Sequence, residues 1–274
     1  MITTDGKRHI KRYLAGFVPS IGQSLAFGVG REAPALTDSR LEFEVFRTNV
    51  SLVSYDFNTD RLIFKAQLPD SLIGEIHEVA LYSMSDDAVA GQYGSRLLVT
   101  FDSLTEDWTG GTFVTANSRL GGDSLNHAPA ASGSVTSQLS ELYFDLSGNA
   151  GADLFSLAAN IGSNVSSISV RFMSDAANYY QATISSPAAG YQIIEFAKSS
   201  LTVTGNPVWS NINTVEVTTN ATAGGSASVD FDGLRIEDVD SINLDYVLVA
   251  REVLTLPYIK QSASVEEIEF SLGV

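Results

Sequence analysis

The sequence predicts a mainly β protein: a β-sandwich of jelly-roll type, inserted in or following a small α+β domain with one N-terminal helix. Three observations carry this. Short runs rich in Val, Phe, Tyr, Ser and Thr alternate between apolar and polar residues, which is the period of a half-buried strand. Turn residues break these runs, with 22 glycines in 274 residues. A helical pattern with capping chemistry occurs once, at the start of the chain.

That helix is expected over residues 3–14. Thr3 or Thr4 can cap it, Asp5 suits its positive end, and Gly16 can end it. Ile10, Tyr13 and Leu14 are expected on its apolar face, with Lys7, Arg8, Lys11 and Arg12 over much of the rest. SLAFGVG (24–30) reads as a glycine-bounded strand. EFEVFRTNVSLVSYDF (42–57) reads as two strands or one bent strand, with a parity change that suggests a bulge near Arg47–Asn49. RLIFKAQL (61–68) alternates, with Leu62, Phe64, Ala66 and Leu68 inward, and the turn Asn58-Thr59-Asp60 makes a hairpin with the strand before it. GEIHEVALYS continues as a buried strand ending in an acidic turn at Asp86-Asp87, with a short strand beyond.

After about residue 100 the composition shifts toward Gly, Ser, Ala and Asn, and loops such as GGDSLNHAPAASGSV are expected. Strands follow at 141–146, 167–175, 179–184, 191–197, 213–219 and 226–231, a spacing that suits a sandwich. Around Asp232-Gly233 the apolar parity flips from Val229 and Phe231 to Leu234 and Ile236, which predicts a bulge or turn. The end of the chain is more apolar again; Ile268, Phe270, Leu272 and Val274 alternate, as a strand buried in a sheet does. Two domains are expected: 1–100 together with 246–274, and 101–245.

Composition excludes several functions. With no cysteines, disulfides and cysteine-ligated zinc are ruled out. The formal net charge of −16 argues against nucleic-acid binding, which needs clustered cations. No apolar run approaches a membrane span, and Tyr13-Leu14-Ala15 runs into Gly16 where a secretory leader would stay apolar. His9, His77 and His127, read as lying in a helix, a strand and a loop, share no metal-ligand spacing. Neither a nucleophile elbow nor a phosphate loop occurs. Glu106, Asp107, Asp230 and Asp232 are candidate glycosidase carboxylates only in the sense that any acidic chain supplies some. No catalytic residues are assigned, and the chain is not expected to be an enzyme. Trp209, in TGNPVWSNI, is a core residue or a rim residue able to stack on a sugar.

Two resemblances follow from these residues. Ile2-Thr3-Thr4-Asp5-Gly6, Ala26-Phe27-Gly28-Val29-Gly30, Arg47-Thr48-Asn49-Val50 and Gly74-Glu75-Ile76-His77-Glu78-Val79-Ala80-Leu81-Tyr82 resemble, in that order, the attachment domain of phage tail-collar and tail-fibre proteins, with Ala80 where that family usually has glycine. FDSLTEDW, SVRFMSDAANYY and VDFDGLRIED resemble a carbohydrate-binding-module jelly roll. The first resemblance implies a structural protein of a tailed-phage virion, assembled in the host cytoplasm as a symmetric homo-oligomer. It would dock on other virion proteins, at neck, tail, baseplate or capsid, through Lys7, Arg8, Lys11 and Arg12. The second implies a structural calcium at Asp102 and Asp232 and, as an alternative function, an adhesin binding host-surface glycan. A capsid decoration role and an enzyme acting on cell-surface polysaccharide are further alternatives.

Overall fold

The computed structural model describes residues 1–84, 95–239, 246–261 and 264–273. The Asp86-Asp87 turn, the short strand expected beyond it and Val274 lie outside the described residues. In chain order, α1 is Thr4–Leu14, β1 Ser24–Gly28, β2 Glu44–Asn49, β3 Leu52–Asp56, β4 Arg61–Leu68 and β5 Gly74–Met84. Then come β6 Arg96–Val99, β7 Thr112–Val114, β8 Ser124–His127, β9 Ser134–Phe144, β10 Leu154–Ile161 and β11 Val165–Asp175. The remaining strands are β12 Asn178–Ser185, β13 Gly190–Ala197, β14 Thr202–Thr204, β15 Ile212–Ala221, β16 Val229–Glu237, β17 Tyr246–Lys260 and β18 Glu266–Leu272. Strands dominate the described residues. The chain divides into two compact units, Met1–Tyr93 with Val239–Val274, and Gly94–Asp238.

The first unit has two sheets, ordered β17-β5-β1-β2 and β18-β4-β3. Its core lies among Leu25, Phe27, Phe64, Ala66, Leu68, Val79, Leu81, Val249, Phe270 and Ile10. β5 is buried on both faces, since Ala80 and Tyr82 join a second cluster with Ala26, Leu41 and Leu248. The strands that follow residue 246 complete both sheets: Tyr246 pairs with Met84, and Phe270 with Phe64.

The opening ITTDG has a physical role here. Ile2 bridges to Ala250 on β17. Thr3 is the N-cap of α1, its Oγ1 accepting from Gly6 N at 2.9 Å. Gly6 packs so close to β17 that a Cβ would sit 2.1 Å from the Val249 carbonyl oxygen. The face of α1 that turns inward holds Gly6, His9 and Ile10; Tyr13 and Leu14, expected with Ile10, are exposed. The reason is docking: contact with β17 through Gly6 rotates the helix so that only its first two turns are covered.

Residues 42–57 form two strands in different sheets, β2 against β1 and β3 against β4, broken at Val50-Ser51. The irregularity expected near Arg47–Asn49 lies elsewhere, at Phe27/Gly28 opposite Phe46 and Glu44. The β3–β4 hairpin has Asp60 at φ 55°, with Asp56 accepting from Asn58 N at 2.9 Å.

The second unit is a β-sandwich. One sheet is ordered β13-β10-β16-β8-β7, with β6 also pairing β16, and the other is β14-β12-β11-β15-β9. Between them lies a core that includes Phe101, Trp108, Phe155, Phe172, Val215, Val217, Phe231 and Leu234. Several sequence expectations are corrected here. Ser124–His127, expected as loop, is β8, and His127 is a fully buried strand residue. The strand expected at 141–146 is the end of a longer one, 134–144, bent where Glu141 and Tyr143 take positive φ. β10 went unforeseen because LFSLAANI is buried on both faces and shows no alternation. The irregularity at Asp232-Gly233 is present: the register shifts where Ala158 and Ala159 face Gly233 and Phe231, leaving Asp232 as the extra residue.

Candidate functional site

On β16 the core takes Val229, Phe231, Leu234 and Ile236. Alternation therefore turns Asp230 to the opposite face of its sheet, and the bulge turns Asp232 there as well. Register places a polar row across that face. Tyr191 is opposite Asn160, Asn160 opposite Asp230, Asp230 opposite Asn126, and Asn126 opposite Thr112. Five strands spaced by about 4.8 Å give this row a length of roughly 19 Å.

The row is hydrogen-bonded to itself. Asp230 Oδ1 accepts from Asn126 Nδ2 at 2.6 Å; Oδ2 accepts from Asn117 Nδ2 at 2.8 Å and Asn160 Nδ2 at 3.3 Å. Each amide thereby turns its carbonyl oxygen away from Asp230. At the end of the row, Tyr191 donates its hydroxyl to Asp232 Oδ2 at 2.7 Å, and the Arg119 guanidinium stacks 3.3 Å from the centre of the Tyr191 ring. Asp230, Asp232 and Leu120 are buried, Asn126, Asn160, Arg119 and Tyr191 half-buried, and Thr112 and Asn117 exposed.

The segment 115–123 is held against this face by the two aspartates singled out as calcium ligands. Asp232 accepts from Arg119 N at 3.0 Å and Leu120 N at 3.1 Å, and Asp102 Oδ2 accepts from Gly122 N at 2.7 Å. Asp102 Oδ1 accepts from Leu104 N at 2.8 Å. Hydrogen-bond donors are aimed at both carboxylates and occupy part of their accepting capacity. Among the described residues no group of three or more His, Asp or Glu converges in the manner of a metal site. Asp102 and Asp232, the expected calcium ligands, have no third carboxylate or histidine grouped with them among the described residues; what they do here is pin a loop. Gly121, between their contacts, has φ 80° and would place a Cβ 2.0 Å from Asp102 Oδ2. Burial pushes the Asp232 carboxyl up to about 7, against the pull of its Tyr191, Leu120 and Arg119 donors.

Trp209 is not a free platform for a sugar. Its ring stacks on Tyr180 at 3.8 Å and 6°, is approached by the Lys198 ammonium at 4.8 Å, and packs against the core. Trp108 stacks on Phe101 and donates to Glu106 Oε2 at 2.8 Å. Glu106 also accepts from Phe101 N, so it closes a turn. Asp107 is exposed nearby.

The histidines hold structure together. His9 Nε2 meets the Ser20 carbonyl at 2.9 Å, His77 lies between Arg31 and Glu75, and His127 contacts Thr219 and Ser137. Burial pushes His127 down to about 4.

In the first unit, Glu78 joins two of the sequence pieces that carried the attachment-domain resemblance, its own strand and Ala26–Gly30. It accepts from Gly30 N at 3.2 Å and Phe43 N at 2.9 Å, and pairs with Arg251 at 2.9 Å. Arg251 also pairs with Asp38 at 2.8 Å. A Cβ on Gly28 would meet Glu78 Oε1 at 2.5 Å. Arg47 pairs with Glu44 at 2.7 Å and lies 3.8 Å over the Tyr82 ring. Lys7, Arg8, Lys11 and Arg12 are exposed on α1, and Arg8 pairs with Asp5 at 2.8 Å.

The sequence signals missed Tyr191, Asn160, Asn126, Asn117, Thr112 and Arg119. No local spacing links them; strand register aligns Thr112, Asn126, Asn160 and Tyr191, and contacts with Asp230, Asp232 and Tyr191 bring Asn117 and Arg119 from the 115–123 segment. Asp230 entered the reading only as one carboxylate among many.

No protein-family model matches the chain, and no curated protein matches it. Some solved structures are similar to parts of it. One is a family 11 carbohydrate-binding module from Clostridium thermocellum in complex with a beta-1,3-1,4-mixed-linked tetrasaccharide: 15% identity, 57% of this chain and 95% of that one, TM-score 0.36. Another comes from work on the promiscuous specificity of carbohydrate-binding modules of the beta-sandwich superfamily: 11% identity, 78% and 83% coverage, TM-score 0.34. A third is PfGH50B, with 11% identity over 51% of this chain and TM-score 0.36; this chain spans 23% of its length.

Proposed function

We propose that the protein is a glycan-binding protein of adhesin type, and that it binds along the polar row of the second unit without turning its ligand over. The observation that supports this is the row itself. Side chains from five strands present amide, carboxylate and hydroxyl groups in one line, with a stacked arginine–tyrosine pair at its end. Polyols are recognised by such convergent donors and acceptors next to an aromatic or guanidinium plane. The row is preorganised, because Asp230 fixes three amides and Asp232 fixes Tyr191 and the 115–123 segment. Asp230 and Asp232 have their oxygens engaged by donors, which suits binding better than acid–base work.

The whole chain on a glycan array is expected to retain a polysaccharide. Asp230→Ala and Tyr191→Ala should each weaken that binding by at least about tenfold, the scale of one lost hydrogen-bonding or stacking anchor. Retention of no glycan, or retention unaffected by both substitutions, overturns the reading.

The virion setting, at neck, tail or capsid, is the second reading. The exposure of all four docking candidates on α1 favours it. Co-purification of the chain with phage particles is its test, and consistent absence from them rejects it.

A further inference from the structure

Within the first unit two exposed surfaces have opposite character. The end of α1 and the turn after it leave Leu14 78% and Phe17 72% exposed, among the cations Lys7, Lys11 and Arg12. Such apolar side chains beside a cationic helix face form an amphipathic knob. Elsewhere on the unit is a groove of about 290 Å³, with Ile76, Leu254 and Ile268 in its floor and Glu252, Glu267 and Glu269 at its rim. Lys65 pairs with Glu267 at 2.8 Å and Glu269 at 2.6 Å; with Glu252 also lining the groove, three carboxylates outnumber this one ammonium and the rim stays acidic.

We propose that the groove receives the α1 knob of a second copy of this chain. Apolar side chains would enter an apolar floor while cations meet an acidic rim. Charge selects this occupant. The chain carries 32 acidic residues against 16 basic ones, so two copies repel over most of their surfaces. The cationic face of α1 holds four of those basic residues within six positions, and it can approach an acidic rim of another copy without that repulsion. Knob and groove are different patches, so the contact is heterologous: each copy uses its knob on one neighbour and its groove on another, and the assembly grows head to tail into a ring or a filament. One such contact is small beside a standard interface of about 800 Å² per partner, so a closed ring, where every copy is held twice, is the stable form. The inference depends on neither the glycan nor the virion reading.

Sedimentation velocity of the whole chain tests it. At low salt the protein should sediment as an oligomer, and screening in high salt should shift it toward monomer. The knob variant K7Q/R8Q/K11Q/R12Q and the groove variant Glu252→Lys should each weaken assembly by about tenfold or more, with far-UV circular dichroism unchanged. Mixing the two variants is the decisive arm. The groove variant keeps an intact knob and the knob variant an intact groove, so at protein concentrations well above those that assemble the parent the mixture should form a one-to-one heterodimer through that single contact and stop there. A monomeric parent protein at low salt, unaltered assembly of both folded variants, or a mixture that forms no heterodimer overturns the proposal.

Discussion

The two units solve the same problem of closing β-sheets over a core in different ways. The first unit buries charge at its centre. Glu78 is fully buried, and Arg251 nearly so, and their ion pair joins β5 to β17, strands far apart in sequence. The second unit centres on aromatic packing, with Phe155 near Phe172 and Phe101 stacked near Phe231, crossed by the buried His127, and its ion pairs Arg235–Glu237 and Arg171–Glu216 alternate with core residues along its strands. Buried ion pairs add little net stability over apolar packing but are severe to break from one side. Breaking the Glu78–Arg251 pair from one side should therefore cost the first unit more than a conservative change in the aromatic core costs the second.

The sharpest way to break this comparison is to divide the chain. Residues 94–238 produced alone should fold, because both sheets of the sandwich lie within them. Residues 1–93 without the strands beyond 239 should not, because β5 and β4 lose their partners. Amide dispersion in a proton–nitrogen NMR spectrum decides; a dispersed spectrum from 1–93 would show that the closing strands are dispensable.

A smaller effect isolates the buried charge. Arg251→Met leaves Glu78 buried without its cation, at a cost of about 3–5 kcal/mol to the first unit. Both tryptophans, Trp108 and Trp209, belong to the second unit, so fluorescence reads that unit alone while far-UV circular dichroism reads both. The early loss of ellipticity expected of Arg251→Met should leave the fluorescence transition in place. Adding Glu78→Gln should restore part of the loss.

The smallest effect concerns pH in the second unit. Asp232 is raised from 3.8 to about 7, so its contribution is fully present below 3.8 and lost as pH rises through 7, about 4 kcal/mol. His127 is lowered from 6.5 to about 4, so its contribution is fully present above 6.5 and lost as pH falls through 4, about 3 kcal/mol. Between pH 4 and 7 the two oppose each other, and tryptophan-monitored urea midpoints should be nearly flat. Asp232→Asn should unmask a loss on acidification and His127→Asn a loss on alkalinisation. A steep profile in the parent protein, or flat profiles in both variants, contradicts the assignment.

Legibility of the fold tracked whether its signal was local. RLIFKAQL showed its buried side because one face of β4 packs inward and the alternation is clean. The bulge at Asp232 was readable because a bulge shifts apolar parity within a few residues. β10 was unreadable because small residues buried on both faces leave no period. The inward face of α1 was misread because Gly6, which docks the helix, contributes nothing to a hydrophobic pattern. The polar row was the least legible feature. Its members come from positions 112, 126, 160, 191 and 230, and register alone aligns them. Asp102 and Asp232 were singled out as calcium candidates, and nothing in the sequence distinguishes a carboxylate that binds a cation from one that collects backbone N–H groups.

The pairing of Met84 with Tyr246 sets an order of events during synthesis. β5 leaves the ribosome long before its neighbour β17 exists. Some 160 residues separate these partners, which at ordinary elongation speeds is roughly 8–32 s. Throughout that interval one edge of β5 is bare, while every strand of the sandwich emerges and can pair. A nascent chain would thus carry a finished second unit ahead of an unfinished first one, and chaperones meeting it would find their exposed apolar strand in the half that was made first.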